Sequence, residues 1–371
     1  MKVFDSKIQK NFGFGCMRLP MIENKVNYDE FSKMIDAFLA AGFNYFDTAH
    51  GYLDGKSETA LRDCLVKRYD RERYVLVNKL TAPYFNSEAE IRPFFENQLN
   101  WCGVDYFDIY LMHAQDRNNF KKFKECHAYE TAFELKKEGK IKHVGLSFHD
   151  TADVLDEILT TYPEIEIVQL QFNYIDYEDA SVQGRLNYEV CVKHNKPVIV
   201  MEPVRGGSLV NLPSTAQMIF DRLDGGSNAS YAIRYAASFD NIVMTLSGMG
   251  NMAMMLDNIG YMKDFKPLNE AEKKAVSEVT KILKAQNLIG CTDCKYCVSH
   301  CPKNIPIPTL FACLNSHRAY GGWGSEMYYE IYTNGGAKAS DCIECGACEA
   351  QCPQHLEIRS LLKDVAKEFE K

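Results

Sequence analysis

From about residue 40 to 260, with FGFGCM counted ahead of them, short apolar runs alternate with longer amphipathic ones, and this alternation limits the possible folds more than any other feature. The strand-like runs are FGFGCM, FNYF leading into Asp47, YVLVNK ending at Lys79 and FDIYLMH ending at His113, followed by IKHVGLS ending at Ser147, IEIVQLQ ending at Gln171, PVIVME ending at Glu202 and NIVMTLSG ending at Gly248. Strands covered on both faces read as continuous apolar runs, and a helix between each successive pair forces parallel pairing. About eight repeats predict an α/β chain folded as a (β/α)8 TIM barrel. An open doubly wound sheet is the alternative, although no G-x-G-x-x-G follows the first run. The intervening segments SETALRDCLVKRY, SEAEIRPFFENQLNWCG and HAYETAFELKKEGK read as helices. Ser57 and Ser87 stand where N-caps are expected, and Gly139 where a C-cap is expected.

The pattern changes after Asn258. NEAEKKAVSEVTKILKAQ has the charge and spacing of an amphipathic spacer helix, and LEIRSLLKDVAKEFEK of a closing one. The expected domains are a barrel over 1–265, a linker helix over 266–287 and a small α-helical, cysteine-rich domain over 288–371. Eight of the fourteen cysteines fall in CTDCKYCVSHCP and CIECGACEAQCP, each written C-x2-C-x2-C-x3-C-P. Zinc ligands more often come as two pairs separated by a longer loop, so a pair of zinc knots is the lesser alternative. The spacing resembles that of bacterial two-[4Fe–4S] ferredoxins, where the fourth cysteine of one run serves the other cluster. That resemblance implies one cluster on Cys291, Cys294, Cys297 and Cys352, and another on Cys342, Cys345, Cys348 and Cys301. The stretch YGGWGSEMYYE between the boxes is expected to be a docking loop. Cys16, Cys64, Cys102, Cys126, Cys191 and Cys313 are expected to be small buried hydrophobes.

A composition of 46% apolar and 25% charged residues suits a globular protein, and a net charge of -8 argues against nucleic acid or anionic membrane as a partner. No apolar run approaches the ~18 residues of a membrane span. The N-terminal segment has no apolar signal stretch, so the expected location is the cytosol.

Chemistry in a barrel gathers where the strands end. Asp47, Lys79 and His113 stand at such ends, with Tyr52 five residues beyond Asp47. A Lys79 ammonium beside Tyr52 is expected to lower the phenol from its ordinary pKa of ~10, while Asp47 holds the lysine charged. His113 is expected to orient a substrate oxygen. Together the four form a device that protonates a carbonyl oxygen as hydride reaches its carbon.

Through FDTAHGY, VNKL, LMHAQ, GKIKHVGLSFHD, VQLQFN and SGMGNMAMMLDNI the chain resembles the aldo-keto reductase family. The resemblance implies NADPH or NADH lying across the barrel mouth, with Ser147 and Gln169 on its carboxamide. Met201 stands where a stacking aromatic is common. Pro203 and Gly206 of EPVRGGSL, together with Ser247, Gly248 and Asn258, would hold pyrophosphate and adenosine. Phe148 replaces a common Asn, and Gly248 and Met254 stand where Lys and Arg often meet the 2′-phosphate. Selection for NADPH is therefore expected to weaken.

The leading expectation is an oxidoreductase interconverting carbonyl and alcohol, fused to an electron-transfer module with a ferredoxin or other redox protein as partner. An ordinary reductase with structural clusters is a second possibility, and a non-catalytic redox-sensing barrel a third.

Overall fold

The computed structural model describes residues 4–223, 225–286, 288–320 and 323–370. Eight parallel strands close on themselves: β1 (Phe12–Gly15), β2 (Tyr45–Asp47), β3 (Val75–Leu80), β4 (Phe107–Gln115), β5 (Ile141–Phe148), β6 (Ile167–Gln171), β7 (Val198–Met201) and β8 (Ile242–Ser247). Each strand pairs with the next in sequence, and β8 pairs with β1 through Phe14 and Ser247. Every residue of β3 is buried, because one face meets the barrel interior and the other the surrounding helices. Alternate residues from the strands, among them Tyr45, Val77, Leu111, Ile167, Ile199 and Leu246, fill the interior. Gly145 in β5 is required by a close approach, since a methyl there would lie 2.5 Å from the Ile167 carbonyl oxygen.

The register gathers the strand ends. Gly15 pairs with Asp47, Ser147 with Gln169, and Gln171 with Met201. Two expected caps hold in position: Ser87 precedes the helix Glu88–Cys102, and Gly139, in the left-handed region, follows the helix Ala128–Lys137. Ser57 is a correction. The helix begins at Lys56 behind Gly55, whose φ of +80° turns the chain, so Ser57 lies inside the first turn. It is buried there, its hydroxyl donating to the Cys16 carbonyl at 2.8 Å and pairing with Thr48 Oγ1 at 2.7 Å.

The chain divides into two compact units, one of residues 1–203 and 229–268 and the other of residues 204–228 and 269–371. The second unit takes in the connection after β7 and the helix Glu270–Ala285, expected as a spacer. That helix buries Ala275, Val276 and Val279, packs against the helix Ser214–Phe220, and opens with a capping box between Asn269 and Glu272. YGGWGSEMYYE is not the expected loop: the helix Trp323–Thr333 occupies most of it, and Gly321 and Gly322 lie outside the described residues. Ser325, Tyr329 and Thr333 recur at helical spacing and turn inward, a period the aromatic content masked.

The two cysteine boxes fold alike. Asp293 and Lys295 in the first, and Glu344 and Gly346 in the second, adopt positive φ at matching positions, as do Asn304 and His355 beyond the prolines. The amide of Asn304 donates to Cys301 and that of His355 to Cys352, both at 3.0 Å. A helix follows each box at the same offset, Ile307–Tyr320 and Ile358–Phe369, and these two pack together. Ile305, Leu310, Phe311, Leu314, Leu362 and Val365 build the core beneath them.

Candidate active site and cluster cavities

Asp47 ends β2, Lys79 is the penultimate residue of β3, and His113 sits near the end of β4. Tyr52 follows β2 in a loop held by its backbone amide donating to Ala49. Lys79 is fully buried, and its Nζ donates to Asp47 Oδ1 at 2.6 Å and to the Thr48 carbonyl at 2.8 Å. The same ammonium stands 4.8 Å from the centre of the Tyr52 ring. The Tyr52 and His113 rings meet edge to face at 6.1 Å. Gln169 Nε2 donates to the second Asp47 oxygen at 3.3 Å. One constellation therefore contains Asp47, Tyr52, Lys79, His113 and Gln169.

Electrostatics departs from the sequence expectation at Tyr52. Its phenol is pushed well above the ordinary value, by burial first and then by the Asp47 and Glu202 carboxylates, with Arg18 opposing. The physical reason lies in the aim of Lys79: its ammonium points at Asp47 and Thr48 and lies over the tyrosine ring. Burial lowers the Lys79 pKa against the support of Asp47. Burial, then Lys79 and His149, hold His113 well below its ordinary value, so the imidazole is neutral near pH 7. The Thr81 hydroxyl lies 2.7 Å from His113 Nδ1 and fixes that ring.

Around this centre, Ser147 Oγ accepts from the Ala114 amide at 2.8 Å, which leaves its hydroxyl hydrogen to donate. Phe148 is buried at the end of β5 and Met201 is half-buried at the end of β7. Pro203 ends the first stretch of the first unit, whereas Gly206 belongs to the second. Ser247 Oγ accepts from Asn258 Nδ2 at 2.8 Å, and Gly248 follows directly on β8. Within the helix Met252–Met262, the first amides already serve Glu30 and Asn251, and Met254 is exposed.

Sequence reading missed Arg18 and Glu202. They pair at 3.9 Å and both act on the Tyr52 phenol. Their only signal was position, just beyond β1 and β7. The scattered cysteines, Cys16, Cys64, Cys102, Cys126, Cys191 and Cys313, are all buried.

The second unit holds two cavities. Cys291, Cys294, Cys297 and Cys352 line one, and Cys301, Cys342, Cys345 and Cys348 the other. Each takes three thiols from one box and the fourth from its counterpart, and Ile307 borders both. Among the described residues no trio of His, Cys, Asp or Glu is drawn close enough to grip a single ion. Four thiols arranged around a space suit a cubane, which has volume of its own. Burial pushes Cys291 and Cys297 up to about 12, so loading the site must displace their protons.

Residues 11–281 match the Aldo/keto reductase family across most of the chain. The chain belongs to that family. Residues 290–357 match the 4Fe-4S dicluster domain, so this aldo/keto reductase carries a two-cluster module C-terminal to its barrel in sequence. Among curated relatives, the NADH-specific methylglyoxal reductase of Escherichia coli (strain K12) is 30% identical over 216 residues, covering 53% of this chain and 62% of that protein. An aldo-keto reductase of Mycobacterium avium (strain 104) is 24% identical over 60% of this chain and 73% of its own. The chain thus spans less than two thirds of the first of these. Among solved structures, the holo form of an aldo-keto reductase from Bacillus halodurans superposes with a TM-score of 0.59 at 21% identity, covering 73% of this chain and 92% of that one. An aldo-keto reductase from Klebsiella pneumoniae in complex with NADPH gives 0.59 at 19% identity, over 74% and 95%. These two likenesses concern the fold. No helix of the described residues is long and apolar enough to cross a membrane.

Proposed function

We propose that the barrel reduces a small carbonyl compound to an alcohol with a bound nicotinamide, and that the cysteine module carries two [4Fe–4S] clusters that exchange electrons with a ferredoxin or another redox protein. The observation that carries the reading is the convergence of Tyr52, Lys79, Asp47 and His113 at the strand ends. The nicotinamide, when bound, supplies hydride to the carbonyl carbon. Tyr52 holds a proton ready for the carbonyl oxygen, since burial keeps its phenol protonated at neutral pH. Lys79 meets the negative charge left on the phenol, and Asp47 keeps Lys79 in place. Neutral His113, its ring set by Thr81, directs the substrate oxygen. A protonated Tyr52 suits reduction; oxidation of an alcohol would need the phenolate.

The Ser147 hydroxyl and Gln169 are assigned to the carboxamide, with Met201 against the ring. Pro203, Gly206, Ser247, Gly248 and Asn258 are assigned to the rest of the dinucleotide. Gly248 and Met254 bring no cation to a 2′-phosphate, which supports NADH as the working cofactor. Each cluster is assigned the four thiols of its cavity. The barrel module is assigned 1–265 and the cluster module 288–371, although residues 204–228 and the helix Glu270–Ala285 within 266–287 fold with the cluster module.

Tyr52→Phe is the test. Single-turnover reduction of methylglyoxal or another small carbonyl by NADH should slow by about 10²-fold or more, with NADH affinity unchanged. Turnover that survives the substitution removes the catalytic half of the reading.

A further inference from the structure

Residues 204–228 leave the barrel strand β7 and return in the helix Asn228–Ala237, yet they fold as part of the cysteine unit. Arg205, Gly206 and Gly207 follow one another with φ of 50°, 63° and 97°. That run carries the backbone of Gly206 onto the first cysteine box. A methyl group on Gly206 would lie 2.5 Å from the Thr292 carbonyl oxygen and 2.8 Å from its carbonyl carbon and Cα. The obstructing atoms are backbone, so no side-chain rotation makes room. Arg205 adds a second contact, because a methyl on Gly290 would lie 2.4 Å from Arg205 Nη2. Thr292 is buried and stands between Cys291 and the next thiol of the same cavity, Cys294. No comparable contact reaches the second box among the glycines whose surroundings are described: the glycine in that box, Gly346, faces Arg359 of the helix that follows it.

We propose that loading of the first cysteine cavity (Cys291, Cys294, Cys297 and Cys352) sets the conformation of the 204–207 segment, and through it the affinity for the dinucleotide. The dinucleotide clause rests on the assignment of Gly206 under the proposed function. A filled cavity fixes the loop 290–295, whose own backbone holds strained left-handed positions at Asp293 and Lys295. Thr292 then presents a rigid wall on which Gly206 seats. Emptied, the loop relaxes, the wall moves, and the three consecutive left-handed residues lose the contact that keeps them in that conformation. Linkage makes the effect reciprocal: whatever disturbs the 206–292 contact also loosens the cluster. Among the glycines whose surroundings are described, none seats on the second cavity, which holds Cys345.

Full-length protein purified without oxygen provides the test, comparing wild type with Cys294→Ser, Cys345→Ser and Gly206→Ala. Hydrogen exchange of peptides within 204–228 is followed by mass spectrometry. Loss of iron to a chelator is followed in the visible spectrum, and NADH binding by fluorescence titration. The expected result is about five-fold faster exchange in 204–228 for Cys294→Ser, with NADH weakened by a similar factor, and wild-type exchange there for Cys345→Ser. Gly206→Ala should retain both clusters on purification yet surrender half its iron to the chelator faster than wild type. If Cys294→Ser fails to fold, the iron-release rate of Gly206→Ala decides alone. Equal exchange in Cys294→Ser and wild type, equal effects of the two cysteine substitutions, or unaltered iron release from Gly206→Ala would each overturn the proposal. Wild-type protein that binds no NADH defeats the proposed function instead, and leaves the exchange comparison standing.

Discussion

Lys79 is a fully buried ammonium whose hydrogen bonds go to one carboxylate and one carbonyl. Removing it as Lys79→Met strands Asp47 in the interior, and loss of one partner from a buried pair costs about 3–5 kcal/mol. Denaturant unfolding should report a loss of that size, together with inactivity. Which residues would gather was legible because strand ends are readable from apolar runs, and those ends carried Asp47, Lys79 and His113. The charge state of Tyr52 was not legible. It depends on burial and on Glu202 and Arg18, which reach the phenol from beyond other strands of the barrel. Nor does one sequence show that Lys79 spends its protons on Asp47 and Thr48. For the same reason the neutral state of His113 emerges only in the folded barrel. With its pKa held low by burial, His113 contributes no inflection to the pH profile of kcat/KM between about pH 6.5 and 8.

Among elements, β5 joins two constraints. Gly145 lets β6 approach, so Gly145→Ala should cost about 1–3 kcal/mol through overpacking against the Ile167 backbone, read as a lowered denaturation midpoint. Two residues earlier, His143 lies 3.0 Å from Asp5 and 3.1 Å from Glu166. Burial opposes its charge, but the two carboxylates prevail and its pKa is raised. Because the folded value exceeds the unfolded one, the stabilisation is complete below the ordinary histidine value of ~6.5 and fades as pH rises through the folded value. Wild type and His143→Gln should therefore differ in denaturation midpoint at pH 5.5 and converge at pH 9. Strand order and helix placement were open to sequence reading since burial on both faces leaves continuous apolar runs. The start of the helix at Lys56 was not, because it turns on the left-handed Gly55 while Ser57 finds buried partners in Cys16 and Thr48.

At the scale of the whole molecule, cysteine spacing marked out a second module, while the grouping of its thiols came only from the resemblance to two-cluster ferredoxins. Two things stayed hidden: that the connection after β7 folds with that module, and that the boxes repeat in backbone conformation as well as in spacing. Contacts between residues some 85 positions apart, such as Gly206 and Thr292, leave no local pattern to read. The crossing of fourth thiols has its own consequence. A protease cut or a gene break between Pro302 and Cys342 would give each fragment a cage one sulfur short, so the halves could not be inherited or assembled singly.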